Sequence, residues 1–307
     1  MKGLIVNRHK KFVLKDGLLK PAVAKGEVLV EVKSASVNPF DAESAEGRFD
    51  PYFSEYGVDN EVQTGLEFAG IIKSDGQIFK KGDQVFGYVH MITGWKSHAE
   101  YIAIDENYLA VMPDALSYAH AAAIPLGALT ALVALHDLGH LKAGMKLLIN
   151  GAAGGLGIQG IQIGKILGAH VTAIAGSQQE AYLHSYGADQ VYDYNQTTIS
   201  DIADTFDVIF DLTNVQKLED MKALLTPTGV FIPAEATDEN GGLLEDPQAG
   251  YLLVAHGDST KLKQIATWVS EGKLKAVLDR EFRFSEYQQA IARLKEKGRR
   301  GRIIMSW

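Results

Sequence analysis

The residues most suggestive of chemistry form one short run, Asn150-Gly151-Ala152-Ala153-Gly154-Gly155-Leu156-Gly157. It follows the apolar stretch Met145–Asn150 and opens a helical pattern over about Leu156–Leu167, so strand, turn and helix succeed one another as a phosphate-binding turn requires. Counted from Ala152, the run fits the dinucleotide fingerprint with alanine in the first glycine position. Gly154 removes the Cβ that would collide with a pyrophosphate, and Gly157 allows helix and strand to pack closely. The backbone N–H groups at the helix start, around Gly155 and Leu156, present partial positive charge to the phosphates. A tight turn in an empty α/β domain explains the glycines alone, but not their place between a strand and a helix with a second strand to follow.

That second strand, Val171–Ala175, sets the choice of nicotinamide cofactor. A carboxylate about 20 residues past the glycines would take the ribose 2′-hydroxyl of NAD. The strand tip reads Ala175-Gly176-Ser177-Gln178-Gln179, with no acid before Glu180. The small Gly176 and the Ser177 hydroxyl leave room for a 2′-phosphate, which predicts NADPH. No lysine or arginine stands in this loop to pair with the phosphate, so NADH stays admissible.

The elements around the turn divide the chain. Lys2–Val6, Val28–Ser36, Gly70–Ile72 and Gln84–Gly87 read as short strands punctuated by Asp75-Gly76 and Gly82-Asp83 turns. From Ser117 the texture becomes helical, and from Met145 strands alternate with helices. The predicted series is helix Gln178–Tyr186, strand Gln190–Tyr192, helix Thr198–Ala203, strand Val208–Asp211, helix Gln216–Leu225, strands Gly229–Pro233 and Leu252–His256, and helix Ser259–Glu271. Such alternation means βαβ units and a parallel, doubly wound sheet. The amphipathic helix Ser285–Lys297, with Tyr287, Ile291 and Leu294 on one face, and the strand Gly301–Trp307 return to the first texture. Residues 119–271 therefore form a predicted nucleotide domain inserted into a β-rich domain made of 1–118 and 272–307.

Composition narrows the function classes. The 307 residues carry 30 basic and 38 acidic side chains, a net charge of −8, which disfavours binding to nucleic acid or an anionic membrane. The basic cluster Arg299, Arg300 and Arg302 reads as a solvated turn before the last strand. There is no cysteine, so disulfides, thiolate metal ligands and cysteine nucleophiles are ruled out. No stretch approaches the ~18 continuous apolar residues of a membrane span, and no signal peptide is evident, so the expectation is a cytoplasmic protein.

Several further segments carry a family likeness: Ser36-Val37-Asn38-Pro39-Phe40-Asp41, Gly65-Leu66-Glu67-Phe68-Ala69-Gly70, Gly82-Asp83-Gln84-Val85-Phe86-Gly87, Gly127-Ala128-Leu129-Thr130-Ala131, Tyr186-Gly187-Ala188-Asp189 with Asp193-Tyr194, and Gly301-Arg302-Ile303-Ile304. In their order and spacing, the chain resembles the quinone oxidoreductase branch of the medium-chain dehydrogenase/reductases over essentially its full length. The resemblance implies a Rossmann domain inserted into a GroES-like β-barrel domain, NADPH in the cleft between them, and a homodimer, for which Ala249–Ala255 is the candidate edge strand. It also implies that Tyr194 contacts the 2′-phosphate, while the position of the family's phosphate-binding lysine falls at Gln179.

The zinc-dependent branch of this superfamily places a cysteine within the segment occupied by Val37-Asn38-Pro39 and a histidine at Leu66. Catalytic zinc needs about three protein ligands, and His90, His98, His120 and His136 show no paired spacing. No metal is therefore expected. Without a Lewis acid, direct hydride transfer to an electron-poor small-molecule acceptor is the natural reaction: a quinone, or alternatively an enone, alkenal or enoyl-thioester double bond. A non-catalytic NADPH-binding sensor remains a further alternative. The candidate hydrogen-bond donors are Asn38, Tyr52 and Thr130, each with a structural alternative as a turn, loop or packing residue. Glu67 reads as a buried structural carboxylate. The loop Phe231–Glu235 follows the carboxyl end of a parallel strand, so the backbone of Ile232 and Pro233 is expected to line the nicotinamide site. The polar, glycine-rich Thr237–Pro247 reads as a flap or a surface loop.

Overall fold

The strand Glu27–Val37 shows why the first part of the chain folds as a barrel: Val28, Val30 and Val32 alternate with the half-exposed Glu27, Leu29, Glu31 and Lys33 and are at most 1% exposed. The computed structural model describes residues 1–57, 61–234 and 246–307. The side chain of Ser177 and most of Thr237–Pro247 lie outside the described residues, so those expectations are not taken further. The chain divides into two compact units, one of residues 1–126, 255–272 and 276–307, the other of 127–254 and 273–275.

In the first unit, Glu27–Val37 pairs antiparallel with Glu67–Ile72 on one side and with Arg302–Ser306 on the other, so both sequence extremes share one sheet. The terminal strand bonds at Ile303↔Val37 and Ser306↔Ser34. Gly3–Val6 forms a smaller sheet with Phe12–Lys15 and Val62–Gln63. Beside it Val6, Ala45, Phe53 and Val62 form an apolar cluster.

The second unit carries five parallel strands. Lys146–Asn150 lies at the centre, flanked on one side by His170–Ala175 and then Gln190–Asp193, and on the other by Phe206–Asp211 and then Leu225–Pro233. This is the expected doubly wound order, reversing direction at the central strand. Leu147, Leu148 and Ile149 are 0% exposed, which suits a strand covered on both faces. Each such side chain contributes about 1.5–3 kcal/mol.

Several expectations need correction. Thr198–Ala203 is only a short 3-10 turn at Ile199–Asp201: Thr198 and Asp201 cap its start reciprocally, but the backbone turns extended at Ile202 and ends it. Leu252–His256 is not a strand; the chain makes a single parallel bridge at Phe231↔Ala249 and then leaves the sheet. The helix Ser259–Ser270 is well started, with Asp258 accepting from the N–H groups of Thr260 and Lys261, but it groups with the first unit rather than the nucleotide unit. The expected boundaries at 118 and 271 accordingly differ from the observed division at 126 and 254. The apolar helical stretch Tyr118–Leu138 owes its hydrophobicity to burial within the protein, and Gly139 N–H bonds Ala134, five residues back, in a widened last turn.

Candidate functional site

The turn after the central strand has the geometry of a diphosphate cradle. Gly151 takes a left-handed φ of 81°, and Gly154 caps the helix Gly155–Ile166 from extended backbone. A Cβ placed on Gly154 would meet no atom within 4 Å. The space in front of the helix start is therefore open, as a pyrophosphate approaching the backbone requires. The N–H groups of Gly151 and Ala152 are already taken by the Ile174 carbonyl, which ties the turn to the second strand.

Gly157 is constrained differently from the expectation. A Cβ there would lie 2.5 Å from the Ala152 carbonyl oxygen, so its role is to let the helix pass over the turn's own backbone. The close approach of helix to strand is made instead by Gly160 and Gly164, which face Ile149 and Leu147.

The rest of the carboxyl edge lies in register with this turn. Asn150 stands opposite Asp211, and Asp211 opposite Pro233. Asp211 is fully buried; its Oδ1 accepts from Asn150 Nδ2 and from the Thr213 hydroxyl, both at 2.8 Å, while its Oδ2 has no partner among the described residues. Burial pushes its carboxyl above the usual range, against the hydrogen bonds from Thr213 and Asn150. Ile232 and Pro233 are buried at the end of the neighbouring strand, in register with Phe210 and Asp211.

At the end of the second strand, Gly176 lets the Tyr194 ring come close: a Cβ on Gly176 would lie 3.4 Å from the Tyr194 hydroxyl. Tyr194 itself is 62% exposed. Beside them is a cleft of about 200 Å³ whose lining includes Gly176, Glu180, Asp193, Gln196 and Thr197. Gln179, at the position of the family's lysine, is buried at 8% exposure in the 3-10 turn Ser177–Gln179. The open helix start, the orphaned Asp211 oxygen and this cleft together fit a dinucleotide.

The barrel unit holds a second polar centre, and it is closed. Glu67 is 0% exposed; its Oε1 accepts from the Ser36 hydroxyl at 2.6 Å and its Oε2 from Leu126 N–H at 2.7 Å. Arg302 Nε lies 3.3 Å from Oε1, an ion-pair distance without hydrogen-bond alignment. Arg302 is thus a buried counter-charge, correcting its reading as part of a solvated basic turn. Asn38 is 2% exposed; its amide nitrogen donates to Ser36 at 2.8 Å and its carbonyl oxygen accepts from Arg302. It also caps the helix Pro39–Glu46, while its own N–H donates to Asp41. These bonds give Asn38 a scaffold role. Asp41, wholly buried, accepts the N–H groups of Asn38 and Gly65, and burial raises its carboxyl. His98 donates from Nε2 to the Ser36 carbonyl.

The other two donor candidates are more open. Tyr52 is 56% exposed on the short helix Asp50–Glu55, whose buried residue is the next one, Phe53. Thr130 is half-buried on the helix Pro125–Leu132. Leu66, at the zinc branch's histidine position, is 2% exposed, and among the described residues no group of three or more His, Cys, Asp or Glu could hold a metal.

Sequence reading missed Lys96. It is 3% exposed and donates to the carbonyls of Ile92, Thr93 and Gly94, so its ammonium is satisfied by a loop of its own making. Burial pushes it down to about 7. Only the short spacing from Gly94 hinted at this.

Residues 24–128 match the alcohol dehydrogenase GroES-like domain family, and residues 186–305 match the family described as zinc-binding dehydrogenase. The chain is 29% identical to a 2-methylene-furan-3-one reductase of Solanum lycopersicum, covering 95% of this chain and 74% of that protein. It is also 29% identical to a chloroplastic NADPH-dependent alkenal/one oxidoreductase of Arabidopsis thaliana, covering 95% of this chain and 75% of that protein. The solved quinone oxidoreductase of Coxiella burnetii superposes with a TM-score of 0.87 at 26% identity, covering 100% of this chain and 99% of that one.

Proposed function

Since the chain belongs to the medium-chain dehydrogenase/reductase family, in its zinc-free, quinone-oxidoreductase-like branch, we propose that it reduces electron-poor acceptors conjugated to a carbonyl. It is an NADPH-dependent oxidoreductase; the acceptor class is the inference. The observation that carries it is the closed centre around Glu67. Where the zinc branch places a histidine ligand there is Leu66, and the adjacent carboxylate is already bonded to Ser36, Leu126 and Arg302. These side chains offer no Lewis acid to polarise a carbonyl, so the acceptor must bring its own activation through conjugation.

When bound, NADPH supplies the hydride from its nicotinamide ring. The N–H groups at the Gly155 helix start hold the diphosphate, and the strand ends at Asp211 and Pro233 form the edge along which the cofactor extends. The carbonyl oxygen that gains charge needs a hydrogen-bond donor. The Asn38 amide donates to Ser36 and is 2% exposed, so the more open hydroxyls of Thr130 and Tyr52 are the candidates for that role. For an enone, hydride adds at the β-carbon and a proton at the α-carbon, giving the saturated ketone; for a quinone, hydride and proton give the hydroquinone.

Steady-state oxidation of NADPH tests this with cyclohex-2-enone, 9,10-phenanthrenequinone and cyclohexanone. Turnover is expected with the conjugated acceptors and not with cyclohexanone. Reduction of cyclohexanone at a comparable rate would sink the reading, and binding without any turnover would favour a sensor role. Thr130→Val should lower kcat about 10²-fold if its hydroxyl is the donor, and Tyr52→Phe should do so if the phenol is. A homodimer is part of the same proposal: Leu225–Pro233 is the outer strand of its sheet among the described residues, and Tyr251 and Leu253, past the Ala249 bridge, are 49% and 61% exposed, which supports contact between two copies on that side.

A further inference from the structure

We propose that Glu180 sets the balance between the two nicotinamide cofactors and that this chain binds NADPH and NADH with similar affinity. The inference rests on the dinucleotide site described above and concerns its adenosine end. In the sequence Glu180 seemed to stand beyond the strand tip, out of play. In the structure it begins the helix Glu180–Ser185 and lines the same cleft as Gly176. It stands beyond the end of the second strand at Ala175, past the strand-tip position of the usual ribose-binding carboxylate, and comes into play because it lines the cleft.

The charges around the cleft oppose a phosphate. Among the described lining residues there is no lysine or arginine, and the position where the resemblance expects a lysine is the buried Gln179. The cleft has two carboxylates. Asp193 turns its Oδ1 into its own loop, accepting from the N–H and the side-chain amide of Asn195. Glu180 is the more open, with a side chain 66% exposed and its Oε1 3.8 Å from His184 Nε2. On the favourable side stands the Tyr194 hydroxyl, over Gly176, as a donor to a phosphate oxygen.

A carboxylate repels a 2′-phosphate but accepts a hydrogen bond from a 2′-hydroxyl. The tyrosine and the glutamate thus pull in opposite directions for NADPH, and Glu180 favours NADH. The two cofactors should bind within about tenfold of each other, since one solvated like-charge contact and one hydrogen bond are of comparable size.

Titration by nicotinamide fluorescence gives the dissociation constants of both reduced cofactors without requiring turnover. Glu180→Gln should tighten NADPH about fivefold and leave NADH unchanged or slightly weaker, and Glu180→Lys should shift the ratio further, about thirtyfold in all. Because the contact is exposed, raising salt from about 0.05 M to 0.5 M should shrink the effect of Glu180→Lys. A wild-type preference for NADPH above about hundredfold, or a ratio that both variants leave unchanged while still binding, overturns the proposal. Failure of the wild type to bind either cofactor would instead overturn the dinucleotide site itself, and with it this inference.

Discussion

At Glu67, in the barrel unit, both carboxylate oxygens are bonded and a guanidinium lies beside them; at Asp211, in the nucleotide unit, one oxygen serves Asn150 and Thr213 and the other has no partner among the described residues. Both groups are 0% exposed. The first centre is self-sufficient and its charge is spent on holding strands Glu27–Val37, Glu67–Ile72 and Arg302–Ser306 together. The second leaves one oxygen without a partner among the described residues, on the strand edge where Asp211 stands opposite Asn150, the residue that leads into the glycine turn. The difference separates a scaffold from a receptor: in the scaffold the buried carboxylate has both oxygens bonded and a counter-charge at ion-pair distance within the chain, whereas a receptor leaves a directed group for something else.

The sharpest way to break this contrast is to remove Arg302. If the Glu67 centre is a closed scaffold, Arg302→Ala leaves a buried carboxylate uncompensated and should cost about 3–5 kcal/mol in urea unfolding. A loss below about 1 kcal/mol would mean that the pair is solvated and the contrast false.

A glycine pair sharpens the other side. Gly157→Ala should destabilise by about 1–3 kcal/mol, because its methyl would overlap the Ala152 carbonyl. Gly154→Ala should leave stability within about 0.5 kcal/mol, having no protein atom to meet, yet weaken NADPH by about tenfold or more in the same titration. Equal affinity of Gly154→Ala and wild type would show that the open space is not where the diphosphate lies.

The smallest effect is in pH. Burial raises the carboxyl of Asp211, so the folded protein holds a proton that the unfolded chain has released. Stability is therefore fully present below the ordinary carboxylate value of 3.8 and is lost as pH rises through the raised folded value. Asp41, raised by the same cause, contributes with the same sign. Asp211→Asn should flatten part of this limb when unfolding is followed as pH rises above the ordinary carboxylate value of 3.8. An unchanged limb would assign it to Asp41 alone.

The sequence revealed the receptor better than the scaffold, for a physical reason. The glycine run is local: strand, turn and helix are contiguous, so residue type alone marks the bend at 151 and the open cap at 154. The parallel order around Lys146–Asn150 followed from alternation of elements and their apolar runs. The Glu67 centre is assembled from residues 36, 38, 67, 126 and 302, and nothing in their spacing indicates that Arg302 turns inward from a basic cluster. Lys96 was illegible because its partners are backbone carbonyls, which carry no residue identity. The strand tip shows no acid before Glu180, and spacing alone does not indicate that this residue lines the same cleft as Gly176. The failed strand at Leu252–His256 had a suitable apolar pattern but loses its neighbour after the bridge at Ala249.

The pairing of Arg302–Ser306 with Ser34–Val37 has a consequence for biosynthesis. These partners are among the most distant in the chain, so a ribosome has translated the whole stretch between them before the Ser34–Val37 end of the barrel's longest strand gains the neighbour that covers it. Until then the edge at Ser34–Val37 is exposed, a template for unwanted strand addition. The stretch 127–254 is translated well before that moment and, with its parallel sheet in place, can order first. Truncation within Arg302–Ser306 should therefore yield aggregation rather than a soluble, slightly weakened protein.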